Sequence, residues 1–431
     1  MRALVLNGAV ALRGLADRVE DALCRALEAR GYGVLRRDLA VLDVPDCRGD
    51  FGCWTTTPGV CLQPGPHREL APALIRSDLV AWVTPVTFGG PSSCLKRHMD
   101  HWIPLVSSRF SMVRGETHHA PRYPGFPALL AVGILEAPDP TSAAVFRRIV
   151  RRNALNMHAP RVASPCLQRE DVARAPELAG AWLDELATSD PPSSGPLDLT
   201  PLADLPPVKP ARVLLLTGSP RGAASASAAL AGAVRAGLER RGIAVEVEAL
   251  HAARREDRTL RRVAAALWAS DAVGLVAPLY VDGFPGPVVA ALEALHAQRP
   301  AAAEARPRLF AIVNCGFPEA AHAHTALAVA RLFAAGSGLD WIGGVAVGGG
   351  GMFAGKPLAE QGGRARNVAR ALALTADAVA RGGTVPAEAS RLAATLPIPA
   401  WLYRLLADRG FRGEARRRGA IAHLDERPYE P

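Results

Sequence analysis

Two widely separated segments of the chain begin with the same pattern. RALVLNGAV (residues 2–10) and ARVLLLTGSPR (residues 211–221) are each a short apolar run that ends in a glycine turn and leads into a helical pattern. Short apolar strands that alternate with amphipathic helices are typical of right-handed βαβ units, whose strands form a parallel sheet. The sequence therefore predicts two α/β halves, and 431 residues exceed what one ordinary core needs.

Each half repeats the pattern five times, which predicts a five-stranded, doubly wound parallel sheet with helices on both faces. Strands two to five are predicted at corresponding places in the two halves. Strand two is predicted at Val34–Leu35 and Ile243–Val247, and strand three after Ser-Asp in SDLVAWVTP and SDAVGLVAP. Strand four is predicted at Ala128–Ile134 and Leu309–Val313, and strand five at Arg161–Ser164 and Trp341–Val347. Ligands of such sheets bind at the carboxyl ends of the strands. The loops after strands one, three and four of each half are therefore the candidate site.

A Pro- and Ser-rich stretch without periodicity divides the two halves. We expect domains at residues 1–187 and 211–386, a linker at 188–210 and a C-terminal helical cap at 387–431. Within that cap, Trp401, Leu402, Leu405 and Leu406 fit one helical face, and we expect it to dock on the second domain.

Composition excludes several classes of protein. The net charge of +9 comes almost entirely from arginines, which are scattered along the chain. We therefore expect an anionic ligand and no nucleic acid. Seven cysteines, four of them before residue 62, do not form a secreted disulfide framework. No uncharged run of membrane-spanning length occurs, and the N-terminal apolar stretch is predicted as a strand instead of a signal peptide. We expect a cytoplasmic location and no membrane partner.

The loop after the first strand of the second half suits a phosphate. Small residues let backbone amides approach, hydroxyls donate to phosphate oxygens, and the following helix N-terminus adds a favourable field. The predicted contacts are Ser219, Pro220, Arg221, Ser225 and Ser227. The loop is neither a P-loop nor a GxGxxG motif, and it suits the single phosphomonoester of FMN. An ordinary βα turn with a serine N-cap is the alternative.

Two further loops of the second half suit a flat aromatic ring, which needs an apolar slot and backbone amides at its edge. The predicted ring contacts are Pro278, Leu279, Tyr280, Val281, Asp282 and Gly283 after strand three, and Asn314, Cys315, Gly316 and Phe317 after strand four. Simple packing of Tyr280 and Phe317 is the alternative.

Several segments of the chain carry a family resemblance that covers most of both halves. TGSPR and PLYVDGFPGPVVAALE resemble the NADPH-dependent FMN reductase branch of the flavodoxin-like superfamily. TPVTFGGPSSCLKRHMDHWIPL (residues 84–105) and CRGDFGCWTTTPGVC (residues 47–61) resemble the multimeric flavodoxin and iron–sulfur flavoprotein group. The resemblance implies two tandem flavodoxin-like domains of strand order 2-1-3-4-5, with FMN and NAD(P)H as cofactors.

The first half departs from this family pattern at its phosphate loop, where Asn7-Gly8-Ala9 lacks the serine. It keeps a ring loop, with predicted flavin contacts at Pro85, Val86, Thr87, Phe88 and Gly89. We therefore expect one principal FMN, with its phosphate in the second half. The two halves would form an internal pseudo-dimer, and a homodimer of that unit stays open.

The cysteine segment places Cys47, Asp50, Cys53 and Cys61 where the iron–sulfur relatives have four cysteines. A carboxylate is a poor ligand for such a cluster. We favour a structural loop without metal, and a cluster held by Cys47, Cys53 and Cys61, or a zinc ion, is the alternative. His118, His119, Arg122 and Tyr123 are candidate substrate or lid residues, with ordinary surface-loop positions as the alternative.

The function these features predict is an NAD(P)H-dependent flavin oxidoreductase that reduces a quinone, a free flavin or another small acceptor. The flavin would carry the reaction, so no catalytic side chain is assigned. A non-catalytic electron carrier and a degenerate flavodoxin fold used for binding or as a scaffold are the alternatives.

Overall fold

The computed structural model describes residues 1–192, 205–253, 256–300 and 306–430. The chain divides into two compact units, Met1–Gly195 with Leu405–Pro431, and Pro196–Arg404. Most of the predicted linker, residues 193–204, lies outside the described residues.

The first unit contains a parallel sheet of strand order β2-β1-β3-β7-β8, with β4 antiparallel to β3 and β9 beside β7. Its elements are β1 Arg2–Asn7, α1 Arg13–Ala29, β2 Gly33–Asp38, α2 Gly52–Thr55, α3 His67–Ile75, β3 Leu79–Thr87, β4 Gly90–Pro91, α4 Ser93–Met99, β5 Val106–Val113, β6 Glu116–Pro121, β7 Ala128–Leu135, α5 Pro140–Asn156, β8 Val162–Ala163, β9 Cys166–Gln168 and α6 Ala175–Thr188. Strands β5 and β6 form a separate antiparallel hairpin.

The sheet of the first unit is buried on both faces. Ala3 and Val5 join one core cluster with the apolar stripes of α1 and α6, which recur at helical spacing. Leu4 and Leu6 are equally buried and, because strand side chains alternate, point to the other face. The predicted fifth strand is short and interrupted: β8 and β9 both pair with β7 on either side of Pro165, whose carbonyl accepts from the Gly133 amide.

The second unit contains a five-stranded parallel sheet of order β11-β10-β12-β13-β14. Its elements are β10 Arg212–Thr217, α7 Ala226–Glu239, β11 Ala244–Ala249, α8 Leu250–Ala253, α9 Asp257–Trp268, β12 Ala272–Pro278, α10 Gly286–Ala297, β13 Arg308–Asn314, α11 His324–Ser337, β14 Asp340–Val347, α12 Arg366–Ala380 and α13 Ala387–Ala394, followed by α14 Ala400–Arg417. Helices α7, α12 and α13 pack on one face of the sheet. Both sheets have the predicted 2-1-3-4-5 order, so the flavodoxin-like fold class is confirmed.

The C-terminal segment differs from the expected cap on the second half. Residues 387–404 belong to the second unit, but residues 405–431 cluster with the first. The proposed apolar stripe is largely exposed, with Trp401 at 60% and Leu406 at 50%, whereas Tyr403 is buried. Phe411 instead packs edge-on against Phe51 and Trp54 of the first unit. Helical periodicity shows that a helix has an apolar face, but it does not show which surface that face meets.

Among the helices that the structure describes, none combines the length and the apolar character that a membrane span requires. All seven cysteines lie within the described residues, and none of them forms a disulfide, as expected for a chain without a disulfide framework.

Candidate functional site

The phosphate loop of the second unit connects β10 to α7. The Gly218 amide donates to the Val276 carbonyl of β12 (2.9 Å), and a Cβ at Gly218 would lie 2.8 Å from Ala277 and Val288, so only glycine fits. Ser219 and Ser225 are buried beside it, and the Ser225 hydroxyl accepts from the Ala228 amide at the start of α7. The loop therefore places hydroxyls at the N-terminus of a 14-residue helix, where an anion is favoured.

Ser227 connects this helix to the fourth strand. Its hydroxyl, which is buried, donates to Oδ1 of Asn314 over 2.8 Å. The predicted phosphate loop and the loop after strand four therefore meet at one edge of the sheet, as parallel strands require.

The loop after strand three of the second unit is a tight turn. Tyr280 and Gly283 exchange two backbone hydrogen bonds (2.8 and 3.0 Å), and the residues between them, Val281 and Asp282, have φ of 44° and 54°. A β-branched residue in the left-handed region is strained, and such strain concentrates at ligand sites. The Leu279 amide donates to the Asn314 carbonyl (2.8 Å), which joins this turn to the fourth strand.

The loop after strand four carries partners that sequence reasoning missed. The Gly350 amide donates to the Cys315 carbonyl and the Gly349 amide to the Phe317 carbonyl, both over 2.7 Å. A Cβ at Gly350 would lie 2.8 Å from the Asn314 side chain. The run Gly348–Gly351 after the fifth strand is the sequence signal that could have indicated this close approach.

Two side chains fix the same loop further. The Tyr403 hydroxyl donates to the Gly316 carbonyl over 2.7 Å, and burial raises the pKa of Tyr403 well above its ordinary value, so the phenol keeps its proton. Phe317 stacks on His322 with ring centroids 4.3 Å apart. The Phe317 side chain is therefore held in place by packing, and its contact with a flavin ring stays a prediction.

The corresponding loop of the first unit has the same backbone contact but different side chains. The Gly8 amide donates to the Val83 carbonyl, just as Gly218 donates to Val276 in the second unit. The buried Asn7 side chain accepts from the Ala9 amide and donates to the carboxylates of Asp17 and Glu20, at 3.0 and 2.8 Å. A loop amide is therefore already engaged, and the two carboxylates beside Asn7 are each also paired with an arginine.

The ring loop of the first unit resembles its counterpart in backbone form. Thr87 pairs with Gly90, and Phe88 and Gly89 between them have φ of 49° and 77°. The Ser92 hydroxyl donates to the Gly8 carbonyl over 2.5 Å, so this turn is joined to the altered first loop. Of the other predicted contacts, Pro85 is buried and Val86 is half-buried.

The four proposed substrate or lid residues lie on or just after the β5–β6 hairpin and are packed inside the first unit. Nδ1 of His118 lies 2.7 Å from Oδ1 of Asn156. The His119 ring contacts Trp54 and Phe110, with centroids 4.4 and 4.9 Å apart, and burial lowers its pKa to about 3.

Arg122 and Tyr123 bind the C-terminal segment. Arg122 donates to the carbonyls of Pro104, Leu424 and Glu426, and the Tyr123 ring stacks on Tyr429. These contacts favour a structural role for both residues, which is neither the lid nor the surface-loop position that the sequence suggested.

The cysteine segment is closely packed. Burial raises the pKa of Cys47 to about 12 and that of Cys53 well above its ordinary value, so both thiols stay protonated in this arrangement. Oδ1 of Asp50, at the second of the four cysteine positions, accepts from the Gly52 amide (2.9 Å), so this carboxylate bonds the first amide of the short helix α2.

Two histidines that the sequence did not single out lie beside Cys61. Sγ of Cys61 is 3.4 Å from Nδ1 of His101, while Nε2 of His101 lies 2.7 Å from the Pro45 carbonyl. His67 stacks on His101 with centroids 4.0 Å apart. Ligand atoms of Cys61, His67 and His101 all lie within 4.8 Å of one another. Sequence spacing gives no signal for this cluster, because it joins a loop, the start of α3 and the end of α4.

The fold and these loops define a flavodoxin-like α/β protein. Residues 1–117 match the family model of NADPH-dependent FMN reductase. The match lies in the first unit, whose phosphate loop is altered, and it supports a flavin-dependent NAD(P)H oxidoreductase. No curated protein matches the chain.

Three solved structures illustrate the structural likeness. A putative quinone reductase from Klebsiella pneumoniae is 14% identical, with a TM-score of 0.34, over 44% of this chain and 86% of its own. An NAD(P)H:quinone oxidoreductase from Methanothermobacter marburgensis is 12% identical, with a TM-score of 0.33, over 42% and 98%. An FMN-dependent NADH-azoreductase from Bacillus anthracis in complex with FMN is 12% identical, with a TM-score of 0.33, over 43% and 97%.

Proposed function

We propose that the chain is an FMN-dependent oxidoreductase that takes electrons from NAD(P)H and reduces a small acceptor such as a quinone or a free flavin. The supporting observation is the meeting of three loops in the second unit: the serine loop before α7, the strained turn Tyr280–Gly283 and the Asn314–Phe317 loop. When bound, FMN supplies two-electron chemistry between the nicotinamide and the acceptor.

The residues of the second unit fit the phosphate of FMN. Ser219, Ser225 and Ser227 have hydroxyls at or beside the α7 N-terminus, and the first amides of a helix have no intrahelical partner. Phosphate oxygens accept from both kinds of donor, and the helix dipole favours their charge. We expect Ser219 to donate to the phosphate, Ser225 to keep α7 capped, and Ser227 to hold α7 to the fourth strand through its hydrogen bond to Asn314.

The first unit does not fit a phosphate. The Asn7 side chain donates to Asp17 and Glu20, which are in turn paired with Arg13 and Arg36, so the polar side chain of this loop is already engaged. Asn7 also engages the Ala9 amide, which the phosphate would need. This supports one principal FMN per chain, held by the second unit, although the family match covers the first.

The residues around the ring loops would orient the flavin and exclude water. The Tyr280–Gly283 turn is held to strand four by the Leu279–Asn314 hydrogen bond, and both Asp282 within the turn and Phe284 after it are buried. A rigid turn of this kind presents backbone groups at a fixed position, which a flat ring with polar edges requires.

The test is flavin binding by the full chain and by matched variants. The wild-type protein should bind about one FMN, absorb at about 450 nm and lose that absorption on mixing with NADPH. Ser219→Ala should weaken FMN binding by about tenfold or more, because a hydrogen bond to a charged group contributes ~1.5–3 kcal/mol. Ser270→Ala is the control, since Ser270 precedes β12 at the opposite end of the sheet.

Each alternative gives a different result. Two FMN per chain would refute the assignment of a single flavin. FMN affinity unaffected by Ser219→Ala would refute its placement in the second unit. Bound flavin that NADPH reduces negligibly would indicate an electron carrier. A colourless protein that takes up no FMN would indicate a binding or scaffold role and refute the proposed activity.

A further inference from the structure

The first unit holds a cluster of metal-ligand side chains that the proposed flavin reaction does not use. Cys61 follows α2, His67 begins α3 and His101 follows α4, and their ligand atoms lie within 4.8 Å of one another. His67 and His101 are each 3% exposed, whereas Cys61 is half-buried. Cys61 and His67 lie close in sequence, and His101, 40 residues from Cys61, brings a second imidazole to the same point.

The hydrogen bonding of His101 is that of a metal ligand. Nε2 of His101 lies 2.7 Å from the Pro45 carbonyl, which can only accept, so Nε2 carries the proton and Nδ1 has a free electron pair. That electron pair faces Sγ of Cys61 at 3.4 Å. Metal-binding histidines characteristically donate their other ring N–H to a carbonyl or carboxylate, which fixes the ring and its tautomer.

His67 completes the set. Its ring stacks on His101, and among the described residues neither of its buried nitrogens makes a hydrogen bond of ordinary geometry. Leaving a buried polar atom without a partner costs ~1–3 kcal/mol, so such an atom calls for an explanation. A metal ion bound to one of these nitrogens would provide it.

The geometry assigns Cys61, His67 and His101 as a mononuclear zinc site with three protein ligands. One thiolate with two imidazoles is a donor set that zinc prefers, and tetrahedral bonds of ~2.0–2.3 Å would hold a sulfur and a nitrogen close to the 3.4 Å that separates Sγ of Cys61 from Nδ1 of His101. Binding requires Cys61 to release its proton to solvent, which its half-exposed position allows. Water or a neighbouring thiol completes the tetrahedron.

This site differs from the cluster considered from sequence. It shares only Cys61 with the set Cys47, Cys53 and Cys61, and it adds two imidazoles. Its effect would be to join the cysteine segment to α4, the helix that follows the ring loop of the first unit. The inference is independent of whether the second unit binds FMN.

The test uses the full chain and the metal alone. Apoprotein prepared with a chelator is titrated with Zn²⁺ against a chromophoric competitor, and with Co²⁺, whose visible spectrum reports tetrahedral geometry and thiolate ligation. We expect about one Zn²⁺ per chain and a cobalt–thiolate charge-transfer band. Cys61→Ser should abolish that band, and His67→Gln and His101→Gln should each weaken Zn²⁺ binding by about tenfold or more.

Cys166→Ser is the matched control, because Cys166 is a half-buried thiol of the same unit on β9. It should bind Zn²⁺ like the wild-type protein, and circular dichroism of each variant establishes that it is folded. Three results would overturn the inference: no Zn²⁺ uptake at micromolar concentration, uptake that folded Cys61→Ser and His67→Gln variants retain, or several irons per chain with sulfide, which would mean a cluster.

Discussion

Removal of the Arg122 side chain should release the C-terminal segment of the first unit. Arg122 is 5% exposed, and its guanidinium donates to Pro104 O (2.8 Å), Leu424 O (3.0 Å) and Glu426 O (2.8 Å). Burial lowers the pKa of Arg122, yet an arginine remains protonated at neutral pH. The buried charge is thus stabilised in part by carbonyls of the segment it holds.

The size of the effect follows from these three bonds. A hydrogen bond from a charged donor contributes ~1.5–3 kcal/mol, so full loss of three would reach about 4.5–9 kcal/mol. The Leu424 and Glu426 carbonyls can recover hydration once the segment detaches, whereas Pro104 is buried. We therefore expect Arg122→Ala to lower the free energy of unfolding of the first unit by about 3–5 kcal/mol.

Arg109→Ala is the matched control, because Arg109 also pairs with the segment, at Asp425, but both side chains are more than half exposed. An exposed ion pair contributes at most ~1 kcal/mol. Two units need not unfold together, so the unfolding midpoint alone is not enough. Amide hydrogen exchange of residues 419–430 is therefore measured as well as the unfolding midpoint. Fast exchange in Arg122→Ala alone is expected. Equal protection in wild type and Arg122→Ala, or equal loss in both variants, would refute the reasoning.

Two further predictions concern buried groups of the first unit. Lys96 and Asp100 form an ion pair at α4 in which each side chain is 1% exposed. Lys96→Met should therefore lower the free energy of unfolding, measured with urea, by about 3–5 kcal/mol, because it leaves a buried carboxylate unpaired. The double variant with Asp100→Leu should lose less than the sum of the two single variants, and simple additivity would contradict this. The pKa of His119 is lowered by burial to about 3, so the unfolded chain binds the extra proton between pH 6.5 and 3, and stability should fall as pH falls through that window. His119→Phe should reduce the loss between about pH 7 and 5 by about 1–2 kcal/mol, and an unchanged pH dependence of urea unfolding would show that His119 titrates normally.

Some features of the site could be predicted because they depend on residues adjacent in sequence. Ser219, Ser225 and the Tyr280–Gly283 turn follow their strands directly, and parallel strands bring their carboxyl ends to one edge. Ala9 in place of the family's serine likewise predicted that the first loop binds phosphate poorly. It did not indicate which other side chains occupy that loop. The carboxylates of Asp17 and Glu20 accept from Asn7 from the following helix, and only the fold shows these contacts.

The sequence by itself determined the two parallel sheets, because the alternation of apolar strands and amphipathic helices is a local property of each segment. Their strand order was predicted from the family resemblance and not from this alternation. The tertiary structure alone decided three points. It attached residues 405–431 to the first unit, turned His118–Tyr123 inward, and brought His67 and His101 to Cys61. Each depends on contacts between different elements, such as that of His101 with Cys61. Those partners are set by the packing of whole elements and not by the pattern of any one of them.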